Sequence, residues 1–154
     1  MYMDKKAIRN KYKIMSYNQC ADYCAKKHKN TSVIISITSY DGDLYEKIIK
    51  SDQNGVQDIL YLSFADLEIC DSPKNCMQYE DAEKVVEFVN QWYGKVDTLI
   101  VHCEGGVSRS AGVCAAIMRV KEGDDWIIFD SSTKHPNMTC YYRTLVKFGY
   151  DMPV

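Results

Sequence analysis

The sequence contains no apolar run long enough to cross a bilayer, no Cys-x-x-Cys pair, no internal repeat, no low-complexity tract and only three prolines. Each absence closes off a class of protein. Without a span-length apolar run there is no transmembrane helix to expect. Without paired cysteine spacing, a zinc cage or disulfide framework has little support. Without a Pro/Gly-rich linker there is no visible domain boundary. An excess of one charge is missing too: 19 Lys and Arg stand against 21 Asp and Glu, mixed along the chain, for a formal net charge of -2. No face is therefore committed to a nucleic-acid backbone or an anionic membrane, and any anion must be held by a local site. The first residues, "MYMDKKAIRNKYK", are basic but no apolar segment of a secretory leader follows.

What is present is enough to close a core: 154 residues, 46% hydrophobic and 12% aromatic. The seven cysteines, Cys20, Cys24, Cys70, Cys76, Cys103, Cys114 and Cys140, are odd in number and read as free thiols in a reducing cytoplasm. The expectation is a soluble cytoplasmic protein of one domain, residues 1–154. It requires no metal or cofactor and no nucleic-acid, membrane or obligate protein partner.

Strand-like and helix-like periods alternate along the chain. "YKIM" (Tyr12 to Met15), "SVIISI" (Ser32 to Ile37), "DILYLSF" (Asp58 to Phe64) and "TLIVHC" (Thr98 to Cys103) are short enough and apolar enough for buried strands. Ser16 with Gln19 predicts a capped helix running to about His28. "DAEKVVEFVNQWYG" puts Ala82, Val85, Val86, Val89, Trp92 and Tyr93 on one helical stripe. Arg109 to about Lys121 reads as a helix apolar on most sides, and "NMTCYYRTLVKFG" after Pro136 reads as the last helix. Alternation of this kind predicts an α/β fold, a mostly parallel sheet covered on both faces. Ligands of such sheets bind at the carboxyl ends of strands, and Cys103 sits at one.

The stretch "TLIVHCEGGVSRSAG" carries the chemistry. A loop leaving a strand and entering a helix turns backbone N–H groups inward, and the helix start adds partial positive charge, so the loop is an anion cradle. Gly105 and Gly106 remove Cβ atoms that would obstruct close approach or forbid unusual backbone angles. Arg109 can present a fork to two oxygens of a phosphate-like group. The same field favours thiolate over thiol at Cys103. A thiolate at the base of a phosphate cradle points to attack on phosphorus.

At His102, Cys103, Gly106, Arg109 and Ser110 the chain resembles the cysteine-dependent protein tyrosine phosphatases, whose signature is H-C-x5-R-S/T, and "HCEGGVSRSAG" is most similar to the small dual-specificity branch. More weakly, the likeness runs from Val33 to Gly149, where "HPNMTCYYRTLVKFG" is similar to the Pro-Asn-led final helix of those enzymes. The resemblance implies a four- to five-stranded sheet flanked by helices. It also implies roles. Cys103 is the nucleophile that forms a phosphocysteine. Arg109 and the loop amides of Glu104, Gly105, Gly106, Val107, Ser108 and Arg109 bind the phosphoryl oxygens. Ser110 donates to the departing sulfur, and His102 orients the loop. A general acid on an upstream loop completes the set. Asp66, directly after a strand, is preferred; Asp71 in "CDSP" is the alternative. Cys70 and Cys76 flank this loop and read as neighbouring thiols, the alternative being a disulfide from one of them to Cys103 that shields it from oxidation, while Cys114 reads as core.

The intervening loop residues carry no cation and one acid, Glu104. An acidic rim disfavours highly charged substrates, so the expectation is a phosphatase for phosphotyrosine and, less readily, phosphoserine and phosphothreonine. Two alternatives stay open: a phosphate-recognition module without turnover, and a phosphatase for a non-protein ester such as RNA or a phosphoinositide. Low-molecular-weight phosphatases and arsenate reductases place their loop near the chain start, which argues against them here.

Overall fold

The computed structural model describes residues 5–39 and 46–150. Ten elements follow one another: α1 (Lys5–Lys11), β1 (Tyr12–Met15), α2 (Tyr17–Cys24), β2 (Ser32–Thr38), β3 (Val56–Ser63), α3 (Tyr79–Trp92), β4 (Thr98–His102), α4 (Arg109–Glu122), α5 (Trp126–Phe129) and α6 (Met138–Lys147). The strands form one sheet of four in the order β1-β4-β2-β3, every pair parallel. Each predicted strand is present, and the sheet is α/β with helices on both faces.

Side-chain alternation shows how the layers are made. Along β2, Ser32 to Ile37 are all buried. Val33, Ile35 and Ile37 pack with Val101 and with apolar residues of α3, α4 and α6. Ile34 and Ile100 take the opposite face, against Cys20 of α2, Ile48 and Val56. Burying each such side chain contributes roughly 1.5–3 kcal/mol, which is why an apolar run without polar alternation settles at the centre of a parallel sheet.

Two helices differ from their predicted bounds or stripe. The Ser16–Gln19 capping box forms, with Gln19 N–H donating to Ser16 Oγ at 3.1 Å and Ser16 N–H to Gln19 Oε1 at 2.9 Å, but α2 stops at Cys24 rather than near His28. The Tyr23 carbonyl accepts from Lys26 N–H at 3.2 Å, an i+3 bond that tightens the last turn, and lies 2.7 Å from Nε2 of His28, whose ring stacks on Tyr23 with centroids 3.7 Å apart, so the helix ends there. On α3 the buried stripe is Ala82, Val85, Phe88 and Val89, with Val86 half-buried and Tyr93 exposed.

Helix α4 is the central device. Arg109 to Met118 are all buried, because α4 is enclosed by the sheet, α5 and α6. Gly112 makes this closeness possible: a Cβ there would lie 2.4 Å from the Asn137 carbonyl oxygen. The start of α6 is therefore pressed against the start of α4, where the loop from β4 ends. Among the described residues, no helix is long and apolar enough to cross a membrane.

Candidate active site

A trans peptide is planar, so its C=O and N–H point in opposite directions; a carbonyl held from outside a loop sends the next residue's N–H inward. The loop between β4 and α4 is held in this way. The Cys103 carbonyl accepts from His102 Nδ1 at 3.2 Å, that of Glu104 from Tyr17 N–H at 3.2 Å, and that of Gly106 from Lys134 Nζ at 2.6 Å. Val107 accepts from His135 N–H at 3.0 Å, and Ser108 accepts from the N–H groups of Asn137 and Gly112, both at 2.9 Å. By peptide planarity the amides of Glu104, Gly105, Val107, Ser108 and Arg109 point away from these partners. That of Gly106 donates to Cys103 Sγ at 3.2 Å.

Only one of the two loop glycines is sterically required. Gly106 has φ +69°, and a Cβ there would meet Ser16 N at 2.5 Å and the Met15 carbonyl carbon at 2.7 Å. At Gly105 φ is not positive and a Cβ would meet nothing within 4 Å, so the expected need for glycine does not hold there.

Cys103 is 2% exposed, with Sγ 3.1 Å from Ser110 Oγ. Burial alone would push the thiol up. Hydrogen bonds from the Ser110 hydroxyl and amide, the Arg109 charge and the Gly106 amide outweigh that, and hold it below its ordinary range. The fully buried Cys114 shows what burial does without such donors: its thiol is pushed up to about 12. Cys140, equally enclosed, also moves up.

Arg109 is 5% exposed. Its Nη1 donates to Ser39 Oγ at 3.0 Å and to the Phe64 carbonyl at 2.8 Å, and its Nη2 reaches Glu104 Oε1 at 3.3 Å. Nε is buried with no hydrogen-bond partner among the described residues. Glu104 also accepts from Ser39 N–H at 2.9 Å. Burial pushes the Glu104 carboxyl up, but Ser39 and Arg109 outweigh it and hold the group below the usual range. Glu104 is thus half of an ion pair with Arg109, not the free acidic rim that its place in the sequence suggests.

His102 is fully buried, its Nε2 2.6 Å from Ser36 Oγ. Since a carbonyl can only accept, the proton lies on Nδ1 toward the Cys103 carbonyl, and Nε2 accepts from Ser36. Burial, with Arg109 nearby, lowers the imidazole's basicity despite the bond to Cys103, so the ring stays neutral. Its geometry suits orientation of the loop.

The two candidate acids are separated clearly. Asp66 Oδ1 accepts from Ser108 Oγ at 2.8 Å and from Asn137 Nδ2 at 2.9 Å, tying it to the phosphate-type loop. Asp71 is exposed and bonds to Asn75 Nδ2 within its own loop. That loop corrects the cysteine reading: Cys70 and Cys76 are bonded to each other, neither to Cys103, and the remaining five cysteines are free thiols. Backbone bonds from Ala65 N–H to Lys74 O at 2.7 Å and from Leu67 N–H to Asn75 O at 3.2 Å fold the loop back on itself. They bring the two Cα atoms to 5.4 Å, within disulfide reach.

Ser36, Ser39, Lys134 and Asn137 belong to this site although the signature names none of them. Asn137 had a signal in the Pro-Asn lead of the last helix, where its Oδ1 caps Cys140 N–H at 3.0 Å. The others carry no local pattern.

No family model matches the chain, and no curated protein matches it. Solved structures do. Human DUSP28 superposes with a TM-score of 0.63 at 13% identity, over 91% of this chain and 92% of its own. OH1 from the Orf virus, a tyrosine phosphatase with triple substrate specificity, gives 0.60 at 12% identity, over 92% and 83%. PTPMT1, solved in complex with PI(5)P, gives 0.54 at 16% identity, over 92% of both chains. The fold is therefore that of the cysteine-dependent tyrosine and dual-specificity phosphatases, as the signature implies.

Proposed function

We propose that this chain is a protein phosphatase that hydrolyses phosphotyrosine, and less readily phosphoserine and phosphothreonine, through a phosphocysteine intermediate. The reading assigns the activity to one phosphatase domain, residues 1–154, acting in the cytoplasm without cofactor or metal. The observation that carries it is the setting of Cys103 Sγ, which receives Ser110 Oγ at 3.1 Å and the Gly106 N–H at 3.2 Å inside a loop whose carbonyls are held outward. These donors favour the thiolate form of the sulfur and stand where an oxyanion would be bound.

The steps follow from the groups present. Cys103 Sγ attacks phosphorus as the bond to the leaving oxygen breaks, and Asp66 in its acid form gives that oxygen a proton. Arg109, through its free Nε, and the inward amides hold the equatorial oxygens as charge builds on them. Water then attacks the phosphocysteine and yields its proton to the Asp66 carboxylate. Sulfur departs as thiolate, with the Ser110 hydroxyl donating to it. Two displacements replace one difficult attack by water. With Oδ1 committed to Ser108 and Asn137, Oδ2 is the oxygen left to carry the proton.

A phosphatase for a non-protein ester is the second reading. Pairing of Glu104 with Arg109 favours it, because that pair removes the free negative charge expected to repel a polyanionic substrate. The deciding experiment is turnover of a phosphotyrosine peptide, a phosphoinositide and an aryl phosphate by wild type, C103S and R109K. Peptide turnover lost in both variants supports the first reading, and a strong preference for the lipid supports the second. Phosphate binding without turnover in the wild type makes the protein a recognition module.

A further inference from the structure

Of the loop carbonyls with partners described above, that of Gly106 alone is held by a full positive charge, the half-buried Lys134 ammonium at 2.6 Å. Gly106 is also one of the two loop residues without a Cβ, and of these the one at positive φ. With φ +69° and no Cβ, the peptide joining it to Val107 can rotate at low steric cost. Rotation would bring the Gly106 oxygen inward, toward Cys103 Sγ, and turn the Val107 N–H out. Both changes oppose anion binding: one adds a partial negative charge beside the sulfur and the other removes a donor.

We propose that Lys134 is a positioning residue that locks the Gly106–Val107 peptide with its oxygen outward, so that the Val107 amide faces the bound phosphoryl group. The inference rests on the phosphatase reading for its purpose but not for its geometry. A charge-assisted bond is about twice as strong as its neutral counterpart. Lys134 reaches the loop beside a cavity of about 170 Å³ whose lining combines Ile8, Ile14, Met118 and Ile128 with the polar Tyr12 and Ser131. The neighbouring backbone donors of His135 and Asn137 brace the next two carbonyls, so the segment from Lys134 to Asn137 is a rear frame, and Lys134 is its one side-chain contact to a loop carbonyl.

The test uses inorganic phosphate as the probe. Full-length wild type, K134M, K134Q and K134R are treated with iodoacetamide across a phosphate series, and modification of Cys103 is followed by mass spectrometry. The phosphate concentration giving half-protection is expected to rise about tenfold in K134M, less in K134Q, which keeps a neutral donor, and about twofold or less in K134R. In aryl-phosphate turnover, K134M should raise KM and the inhibition constant of phosphate more than it lowers kcat. Melting temperatures separate this from general loosening; if K134M does not fold, K134Q against K134R decides. Protection at wild-type phosphate concentrations in K134M, or equal loss in K134M and K134R, overturns the proposal. A wild type that is protected by phosphate yet turns nothing over defeats the phosphatase reading while the Lys134 comparison still stands. No protection in the wild type defeats both.

Discussion

The two loops that meet at Ser108 and Asp66 are built by opposite means. The loop from Cys103 to Ser108 is gripped through its backbone by α2, the Lys134–Asn137 segment and α4, around a sulfur that is 2% exposed. The loop between β3 and α3 is folded on itself by two backbone bonds and a disulfide. Its ends are anchored in the core through the fully buried Phe64, Cys76 and Met77, and its middle meets the rest of the protein through polar contacts. Asn137 Nδ2 reaches the Asp66 carboxylate and the Leu67 carbonyl at 2.9 and 3.3 Å, Thr139 Oγ1 reaches Glu68 O at 2.7 Å, and Ser108 Oγ reaches Asp66. Ile69 there is 77% exposed. The difference teaches a division of labour. Under the proposed function the division has a purpose: oxyanion stabilisation needs donors that do not reorganise, whereas proton delivery asks only that one carboxylate be presented from a neighbouring loop.

The largest break in the comparison is expected at the gripped loop. C103S should abolish aryl-phosphate turnover, and R109K should cost about 10²–10³-fold in kcat, since lysine cannot reproduce the donors to Ser39, Phe64 and Glu104 while leaving one for the substrate. On the docked loop, D66N should slow phenyl phosphate by about 10²-fold yet barely affect nitrophenyl phosphate, which leaves without a proton, and D71N should change neither. Equal effects of D66N on both substrates would reject Asp66 as the acid.

G106A tests rigidity itself. Its Cβ would press on the Met15 and Ser16 backbone at a positive φ, so melting temperature and phosphate protection should fall together, whereas G105A should leave both near wild type. Smaller still is the effect of opening Cys70–Cys76. C70S with C76S, or a dithiol reductant, is expected to cost up to about 2 kcal/mol of stability and a few-fold in turnover of poor leaving groups, without moving phosphate affinity. The smallest change is a shift in pH. Because the Ser110 hydroxyl helps hold the Cys103 thiol below its ordinary range, S110A should raise that value and displace the acid limb of kcat/KM toward higher pH. An unmoved limb would mean that the amides of Ser110 and Gly106 and the Arg109 charge suffice without the hydroxyl.

Legibility in the sequence followed the range of the interactions. β2 and β4 were readable because a central strand buried on both faces needs an unbroken apolar run, the partly exposed edge strands β1 and β3 from shorter apolar stretches, and the Cys103–Ser110 segment because one loop must carry several chemical demands at once. Helix α1 escaped notice, with Ile8 as its one buried apolar residue. Helix α5, from Trp126 to Phe129, is too short to show a period. Ser39, Lys134 and the Phe64 carbonyl come to Arg109 and Gly106 from distant positions, so their roles exist only after folding. The Cys70–Cys76 bond was hidden for the same reason: a hairpin-like fold of the loop, not a spacing rule, brings the two sulfurs together. Glu104 was visible as an acid, but its neutralisation by Arg109 was not.

The close contact of Gly112 with Asn137 has a consequence for the order in which the protein becomes competent. Read from the N-terminus, the whole Cys-to-Arg signature leaves the ribosome before the segment that braces three of its carbonyls has been made. Until α6 is synthesised and seated, the nascent chain carries Cys103 in a loop that lacks these braces, and on the proposed reading phosphate affinity should arise only as the last helix docks.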